Sequence, residues 1–175
     1  MSIKVVFLDR DGVINEEVGY LHKIEDFKFI NGVNSSCNYF LSLGFQIIVV
    51  TNQSGIARGK YKEEDFHKLN KWMLHNFLQN NVRILDVFFC PHAPEDNCLC
   101  RKPKPGLFIN AKEKYDIDMK NSWMIGDKEA DIEAANNAGI NKTILVRSGH
   151  EINEKKTLAT YVCDSILETT QLLKK

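Results

Sequence analysis

Two aspartates follow the first apolar run of the chain, in the order Asp9-Arg10-Asp11-Gly12. In an extended backbone, residues two apart point to the same side, so both carboxylates can face one pocket. Gly12 then allows the chain to turn away sharply. Two close carboxylates repel each other unless a proton or a cation lies between them. Taken alone, such a pair is more often two solvated loop acids.

A second acidic segment, Gly126-Asp127-Lys128-Glu129-Ala130-Asp131, follows another apolar run. If both runs are strands of one parallel sheet, three or four acids converge at the carboxyl ends of these strands. Such oxygen ligands suit Mg²⁺, which proteins usually hold with one or two carboxylates, waters and a substrate phosphate. The alternative is that Asp127 and Asp131 complement the dipole of the next helix, and we interpret Asp131 mainly in this way.

Two further segments carry groups that suit a phosphate. The segment Thr51-Asn52-Gln53-Ser54-Gly55 offers hydroxyl, amide and backbone donors that can surround phosphate oxygens. The segment Arg101-Lys102-Pro103-Lys104-Pro105 offers cations, and its prolines limit where Lys102 can point. Each segment alone is weak evidence, because polar loops and solvated basic loops are common.

Three of the five cysteines lie close together and have a histidine among them, as Cys90, His92, Cys98 and Cys100. Three thiolates and one imidazole make a closed tetrahedral zinc site, and a closed site is structural. The alternative is a group of reduced thiols, since an odd cysteine count without a secretion signal argues against disulfides. The other two, Cys37 and Cys163, are predicted core residues.

The apolar pattern predicts short strands that alternate with helices. The predicted strands are 3–8, 45–50, 86–89, 122–125 and 143–146; the predicted helices are 34–43, 62–80, 129–138 and one that starts at Pro105; a short strand and helix follow from Tyr161. This alternation predicts an α/β fold, a three-layer Rossmann-like parallel sheet with helices on both faces. Such sheets place their chemistry at the carboxyl ends of the strands, where Asp9, Thr51, Cys90 and Asp127 lie.

Length and charge narrow the functional classes. The 175 residues show no linker or repeat, so we expect one domain over 1–175, with the metal loop at 90–100. Lys plus Arg is 23 and Asp plus Glu is 23, which weighs against nonspecific binding of nucleic acid or a membrane surface. No apolar run approaches the roughly 18 residues of a membrane span, and we expect a cytoplasmic protein.

Together, these segments resemble the four motifs of the haloacid dehalogenase superfamily of phosphotransferases. The matching residues are Asp9-x-Asp11-Gly12, Thr51, Lys102 and Gly126-Asp127-x-x-x-Asp131. The chain resembles most the D-glycero-D-manno-heptose 1,7-bisphosphate 7-phosphatases, over roughly residues 3–148. The segments that carry this resemblance are 7–12, 51–59, 100–103, 125–128 and Gly19-Tyr20-Leu21-His22.

The resemblance implies a Mg²⁺-dependent phosphatase that removes the 7-phosphate of the heptose bisphosphate in nucleotide-activated heptose biosynthesis. Asp9 would be the nucleophile and form an aspartyl-phosphate. Asp11 would be the general acid and base. Mg²⁺ would bind Asp9, Asp127 and the backbone carbonyl of Asp11. Thr51 and Lys102 would stabilise the phosphoryl oxygens.

The intervals between the motifs are too short for a separate cap domain, so small loops must select the substrate. The resemblance implies that the substrate contacts come from Glu17, Val18, Gly19, Tyr20, Asn52, Gln53, Ser54, Arg101 and Lys128. The expected partner is a small phosphorylated sugar, and the capless fold is expected to be a monomer.

Three alternatives remain open. The five-residue gap between His92 and Cys98 is similar to that of the related histidinol-phosphate phosphatases. The segments 19–22 and 55–59 favour the heptose enzymes instead. A noncatalytic phosphosugar-binding or zinc-scaffolded module and a nucleic-acid end phosphatase are the other two. His67, His75 and His150 are interpreted as surface histidines, and 149–156 as a surface loop.

Overall fold

A six-stranded parallel sheet forms the centre of the protein in this computed structural model, which describes residues 2–174. The strands are β1 (Val5–Leu8), β2 (Gln46–Asn52), β3 (Asp86–Cys90), β4 (Trp123–Gly126), β5 (Lys142–Val146) and β6 (Tyr161–Cys163). Their order across the sheet is β3-β2-β1-β4-β5-β6. Every neighbouring pair is parallel, which confirms the predicted α/β fold.

Within residues 2–174, five α-helices connect or follow these strands. They are α1 (Val33–Ser42), α2 (Glu63–Gln79), α3 (Gly106–Tyr115), α4 (Glu129–Asn137) and α5 (Ile166–Thr169), with short 3-10 helices at Ile24–Asp26, Pro94–Asp96 and Met119–Asn121. The predicted helices are confirmed to within a few residues. Pro105 lies just before α3 rather than at its first position. Ile3 lies outside β1 because it pairs with Ile117 in an isolated bridge.

Side chains that alternate along β1 pack into two separate apolar clusters, one on each face of the sheet. Val6 and Leu8 belong to the cluster that contains Phe40 of α1 and Phe77 of α2. The cluster on the opposite face of the sheet contains Val5 and Phe7 of β1. Helices α3 and α4 contribute Leu107, Phe108, Ala111, Ala134 and Ala135 to it. Burial of one such Phe or Leu stabilises the fold by about 1.5–3 kcal/mol. The molecule therefore has the three predicted layers.

The connections between the strands determine where the crevice of the candidate site lies. The chain starts at β1 in the middle of the sheet, moves outward through β2 and β3, and returns to the other side of β1 as β4. This reversal of strand order leaves a crevice at the carboxyl ends of β1, β2 and β4. Between β1 and β2 the structure has one 3-10 helix and α1, and between β2 and β3 it has α2, so neither interval holds a cap. Over residues 2–174, no helix combines the length and apolar character needed to cross a membrane.

Candidate active site

A buried lysine lies at the centre of the crevice. The Nζ atom of Lys102 is 3.0 Å from Oδ1 of Asp9 and 2.6 Å from Oδ1 of Asp131. It also donates a hydrogen bond to the carbonyl oxygen of Val50 at 2.8 Å. Three residues far apart in the chain, two of them the predicted site residues Asp9 and Lys102, therefore meet in the crevice.

Asp131 has two functions in this arrangement. Its Oδ2 accepts hydrogen bonds from the backbone N–H groups of Asp127 and Lys128, both at 3.1 Å, at the start of α4. The predicted helix-terminal position of Asp131 is therefore confirmed. The ion pair with Lys102 was not predicted. Gly126 makes this packing possible, because a Cβ atom there would lie 2.3 Å from the Cβ atom of Asp131.

The buried acids form a group that could hold a cation. One ligand oxygen from each of Asp9, Asp127 and Asp131 lies within 4.8 Å of the others. All three side chains are buried, and Lys102 supplies one positive charge against their three negative charges. Oδ1 of Asp127 is buried without a hydrogen-bond partner among the described residues. This excess of buried carboxylate oxygens fits a hard divalent cation such as Mg²⁺.

Burial and charge shift the pKa values of the central pair. Burial, and then the negative charge of Asp131, raise the pKa of Asp9 well above its ordinary value, although Lys102 opposes this. Burial tends to lower the pKa of Lys102, but the negative charges of Asp131 and Asp9 outweigh it, so the pKa is raised. Lys102 is therefore a permanent cation beside the Asp9 carboxyl group, as stabilisation of a phosphoryl group requires.

Asp11 lies in the same cavity as Asp9, Lys102 and Asp131, and hydrogen-bond donors surround its carboxyl group. Arg10 contacts both of its oxygens at 3.1 Å, Asn15 donates to Oδ1 at 3.0 Å, and Gln53 donates to Oδ2 at 3.2 Å. Burial raises the pKa of Asp11, but the positive charge of Arg10 and the three donors outweigh it, so the pKa is lowered. Arg10 is almost completely buried. An arginine between two aspartates gives no signal of burial in the sequence, so Arg10 was missed.

Thr51 is connected to the same set of donors through Gln53. The Nε2 atom of Gln53 donates to Oγ1 of Thr51 at 2.8 Å. The hydroxyl group of Tyr61 donates to Oε1 of Gln53, and the Tyr61 ring stacks on His22 with centroids 5.1 Å apart. Gly55 must lack a side chain, because a Cβ atom there would lie 2.1 Å from the Tyr61 ring. Tyr61 and His22 were not among the predicted site residues.

A cavity of about 240 Å³ opens beside Asp11 and contains most of the predicted substrate contacts. The predicted residues that line it are Glu17, Gly19, Tyr20, Asn52, Gln53, Ser54 and Lys128. A smaller adjoining cavity of about 70 Å³ reaches Asp9, Lys102 and Asp131. Two predicted contacts line neither of these cavities: Val18 is exposed, and Arg101 donates to the carbonyl oxygen of His92 at 3.3 Å.

The side chain of Asn52 connects β2 to the segment that carries Lys102. Its Nδ2 atom donates to the carbonyl oxygen of Lys102, and its Oδ1 atom accepts from the N–H group of Lys102, both at 3.1 Å. These two hydrogen bonds fix the backbone of Lys102, from which its side chain enters the crevice. Asn52 thus positions Lys102 as well as lining the cavity.

One of the three histidines interpreted as surface residues is part of the site. His150 Nδ1 lies 2.6 Å from Oδ2 of Asp127, and the imidazole lines both cavities. The interpretation of His150 as a surface histidine without a partner is therefore wrong. His67 and His75 are exposed on α2, as predicted. Nothing in the local sequence around His150 signals Asp127, because the contact forms only when the segment after β5 folds beside β4.

The four predicted zinc ligands come together after β3. Cys100 Sγ lies 3.0 Å from Cys90 Sγ and 3.6 Å from Cys98 Sγ, and His92 Nδ1 lies 3.3 Å from Cys100 Sγ. All four ligand atoms lie within 4.8 Å of one another. Tetrahedral Zn–S bonds of about 2.3 Å place sulfurs about 3.7 Å apart. Three thiols and one imidazole at these separations fit zinc. Cys37 and Cys163 are buried, as predicted.

The loop that follows β2 is hydrogen-bonded to the backbone of the cysteine loop. The N–H group of Gln53 donates to the carbonyl oxygen of Cys90 at 2.7 Å, and the N–H group of Ala57 donates to that of Pro91 at 3.2 Å. Backbone hydrogen bonds therefore join the cysteine loop to the loop that follows β2, which lines the larger of the two cavities.

Comparison with known proteins agrees with this geometry. Residues 99–169 match the family model described as HAD-hydrolase-like. A Vibrio cholerae protein named D-glycero-beta-D-manno-heptose-1,7-bisphosphate 7-phosphatase is 47% identical over 181 residues, with 99% of this chain and 97% of the relative aligned. A Campylobacter jejuni protein named as the corresponding alpha-heptose phosphatase is 49% identical over 146 residues, with 83% of this chain and 84% of the relative aligned.

The fold also matches a solved structure. A D,D-heptose 1,7-bisphosphate phosphatase from B. bronchiseptica, crystallised with magnesium and phosphate, superimposes with a TM-score of 0.87. The two chains are 29% identical, and the match covers 97% of each.

Proposed function

Because the chain belongs to the haloacid dehalogenase superfamily, in its family of D-glycero-D-manno-heptose 1,7-bisphosphate 7-phosphatases, we propose that it removes the 7-phosphate of this sugar bisphosphate with Mg²⁺. The observation that carries the proposal is the Asp9 carboxyl group beside the buried Lys102 ammonium, at the end of a cavity lined by polar groups. The reaction is proposed to belong to nucleotide-activated heptose biosynthesis, with the cytoplasm as its expected place.

The proposed nucleophile is Asp9. A carboxylate oxygen of Asp9 attacks phosphorus, a new O–P bond forms, and the bond between phosphorus and the sugar oxygen breaks. Asp11 protonates the leaving alkoxide; it then takes a proton from the water that hydrolyses the aspartyl-phosphate. Asp11 lines the cavity that reaches Asp9, and its donors hold its carboxyl group in place. Because Arg10 and these donors lower its pKa, Asp11 must take up a proton before it can protonate the leaving group.

Lys102 and Thr51 are proposed to stabilise the phosphoryl oxygens as negative charge shifts in the transition state. Support comes from the contacts of Lys102 with Val50 and Asn52, the residues on either side of Thr51, and from the fixed cation that Lys102 provides. Asp9, Asp127 and the backbone carbonyl of Asp11 are proposed to hold Mg²⁺. When bound, the ion offsets the negative charge that would otherwise keep the carboxylate and the phosphate apart.

Substrate selection is proposed to come from the loops that line the larger cavity. Lys128 supplies a cation there that could pair with a second phosphate group, and the polar side chains of Asn52 and Ser54 could bind sugar hydroxyls. Cys90, His92, Cys98 and Cys100 are proposed to hold a structural zinc ion. The backbone hydrogen bonds from Gln53 and Ala57 to this loop support an ordering function for the zinc site.

Measurement of phosphate release from a small panel of substrates tests the proposal. The panel contains both anomers of D-glycero-D-manno-heptose 1,7-bisphosphate and histidinol phosphate, each with Mg²⁺ and with a chelator. We expect release from a heptose bisphosphate with Mg²⁺, and loss of release with the chelator. Release from histidinol phosphate alone would favour the second candidate, which the short gap between His92 and Cys98 supports.

The covalent step is tested with the variant Asp9→Asn. Acid-quenched wild-type protein is expected to retain a phosphoryl group, whereas Asp9→Asn is expected to retain none and to release no phosphate. Its circular dichroism spectrum should match that of the wild type. Turnover by Asp9→Asn at the wild-type rate would contradict the covalent route.

A further inference from the structure

The carboxylate of Asp127 lies against the segment Ser148–His150, which follows β5. A Cβ atom on Gly149 would lie 2.1 Å from Oδ2 of Asp127, and a Cβ atom on Gly12 would lie 2.3 Å from the same oxygen. The hydroxyl group of Ser148 donates to the carbonyl oxygen of Gly12 at 2.7 Å, which connects the two glycine positions. The carboxylate is therefore confined between two stretches of backbone that only glycine allows to come so close.

His150 makes two hydrogen bonds to one oxygen of this carboxylate. Its backbone N–H group donates to Oδ2 of Asp127 at 3.0 Å, and its Nδ1 atom lies 2.6 Å from the same oxygen. A carboxylate that binds a cation is ionised and can only accept, so in the proposed site Nδ1 is the donor. Over residues 2–174, the other oxygen, Oδ1, is buried and has no hydrogen-bond partner.

This asymmetry has a consequence for metal binding. With Oδ2 occupied by two donors and confined by glycine backbone, rotation of the Asp127 carboxylate would break both hydrogen bonds. Oδ1 is then the oxygen left for a cation. Mg²⁺ requires nearly octahedral geometry, so its affinity is sensitive to ligand orientation. Hydrogen bonds to metal ligands typically account for 10- to 100-fold in affinity.

We infer that His150 is a positioning residue that holds Asp127 so that Oδ1 faces the magnesium ion. The inference rests on the magnesium site of the proposed function and adds to it a residue from a separate segment. It concerns the orientation of a ligand, not a contact with the substrate. His150 also lines both cavities, so substrate binding is the competing role that the experiment must separate.

Mn²⁺ is a suitable probe, because its binding can be followed by electron paramagnetic resonance without substrate. The dissociation constant for Mn²⁺ is measured for the wild-type chain of 175 residues and for His150→Ala, His150→Asn and His150→Gln. His150→Ala keeps the backbone donor but loses the imidazole, and we expect about 10-fold weaker binding or more. The amide of His150→Asn can take the place of Nδ1, so this variant should recover most of the affinity. The longer His150→Gln should not.

Kinetics give a second readout. The Mg²⁺ concentration for half-maximal activity should rise in His150→Ala by the same factor as the Mn²⁺ dissociation constant. The KM for the sugar phosphate at saturating Mg²⁺ should stay at the wild-type value. His67→Ala, which removes an exposed histidine on α2, is the matched control and should change neither quantity.

The possible outcomes separate this inference from the proposed function. Unchanged Mn²⁺ affinity in His150→Ala together with a raised KM would overturn the positioning role in favour of substrate contact. Equal recovery by His150→Gln and His150→Asn would also overturn it, since the geometry places Nδ1 at Asp127. A wild type that binds no Mn²⁺, or that binds it as well after Asp127→Asn, would overturn the magnesium site itself and the inference with it.

Discussion

Lys102 and Asp131 form a buried ion pair in which Nζ lies 2.6 Å from Oδ1. Lys102 lies in the loop before α3, and Asp131 lies in the first turn of α4. Because Asp131 also accepts two backbone N–H groups, it holds the ammonium group from a fixed position. The ion pair thereby directs Lys102 toward Asp9, which lies 3.0 Å from the same nitrogen.

The first prediction concerns this pair. Asp131→Asn should lower kcat by at least about 10-fold and lower the melting temperature, because loss of one partner of a buried ion pair costs about 3–5 kcal/mol. Glu133→Gln, the same kind of change on the same helix, is the control and should alter neither value. A normal melting temperature and kcat in Asp131→Asn would contradict the positioning role of the ion pair.

The second prediction concerns the hydroxyl group of Tyr61. Tyr61→Phe removes the hydrogen bond that holds Gln53, which in turn donates to Thr51 and Asp11. We expect kcat/KM to fall by about two- to tenfold, which corresponds to the roughly 0.5–1.5 kcal/mol of one hydrogen bond. Tyr39→Phe loses a similar hydrogen bond, to the carbonyl oxygen of Leu173, far from the site. If both variants lose activity equally, the effect is not specific to Gln53.

The third prediction concerns the cysteine cluster. Cys98→Ser should reduce the zinc content, measured by mass spectrometry of the metal, and should lower the melting temperature by several degrees. Activity should fall as well, because the cluster supports the backbone of Gln53 and Ala57. Cys163→Ser, outside the cluster, should keep the zinc. Wild-type protein purified without chelators and found to lack stoichiometric zinc would contradict the zinc assignment.

The fourth prediction concerns the pH dependence of stability at Asp86. Its carboxylate accepts from Lys114 Nζ at 2.7 Å, from Tyr115 at 2.8 Å and from the N–H group of Val87 at 2.8 Å. Burial tends to raise the pKa of Asp86, but these donors outweigh it and lower the pKa. A lowered pKa in the folded state stabilises the protein above the unfolded-state value of about 3.9 and stops doing so as the pH falls through the folded-state pKa.

Urea unfolding of wild type and Asp86→Asn between pH 7 and pH 3 measures this contribution. The difference in the free energy of unfolding should be greatest near pH 7 and should shrink as the medium becomes more acidic. Glu113→Gln, a change of an exposed acid on α3, should show no such trend. A difference that is independent of pH would contradict the depressed pKa of Asp86.

Much of the site follows from local sequence, and the rest does not. Asp9, Thr51 and Asp127 could be predicted because each ends a short apolar run, and parallel strands bring such ends together. The cysteine cluster could be predicted because its members are close in sequence. Arg101 was expected at the cavity, but its guanidinium group bonds to the carbonyl oxygen of His92. The spacing of residues predicts which loop carries a side chain, but not the direction in which the side chain points.

The amino-acid sequence by itself determined the layered α/β fold, the order of the strand-end acids and the clustered thiols, because these depend on hydrophobic periodicity and short-range spacing. Tertiary structure alone decided that Asp131 holds Lys102, that Tyr61 holds Gln53 and that His150 meets Asp127. The contacts of Asp131 with Lys102 and of His150 with Asp127 join segments far apart in the chain, and they form only when the packed sheet brings those segments to one crevice. Tyr61 and Gln53 lie eight residues apart in the connection between β2 and α2, and the fold of that connection sets the direction of both side chains.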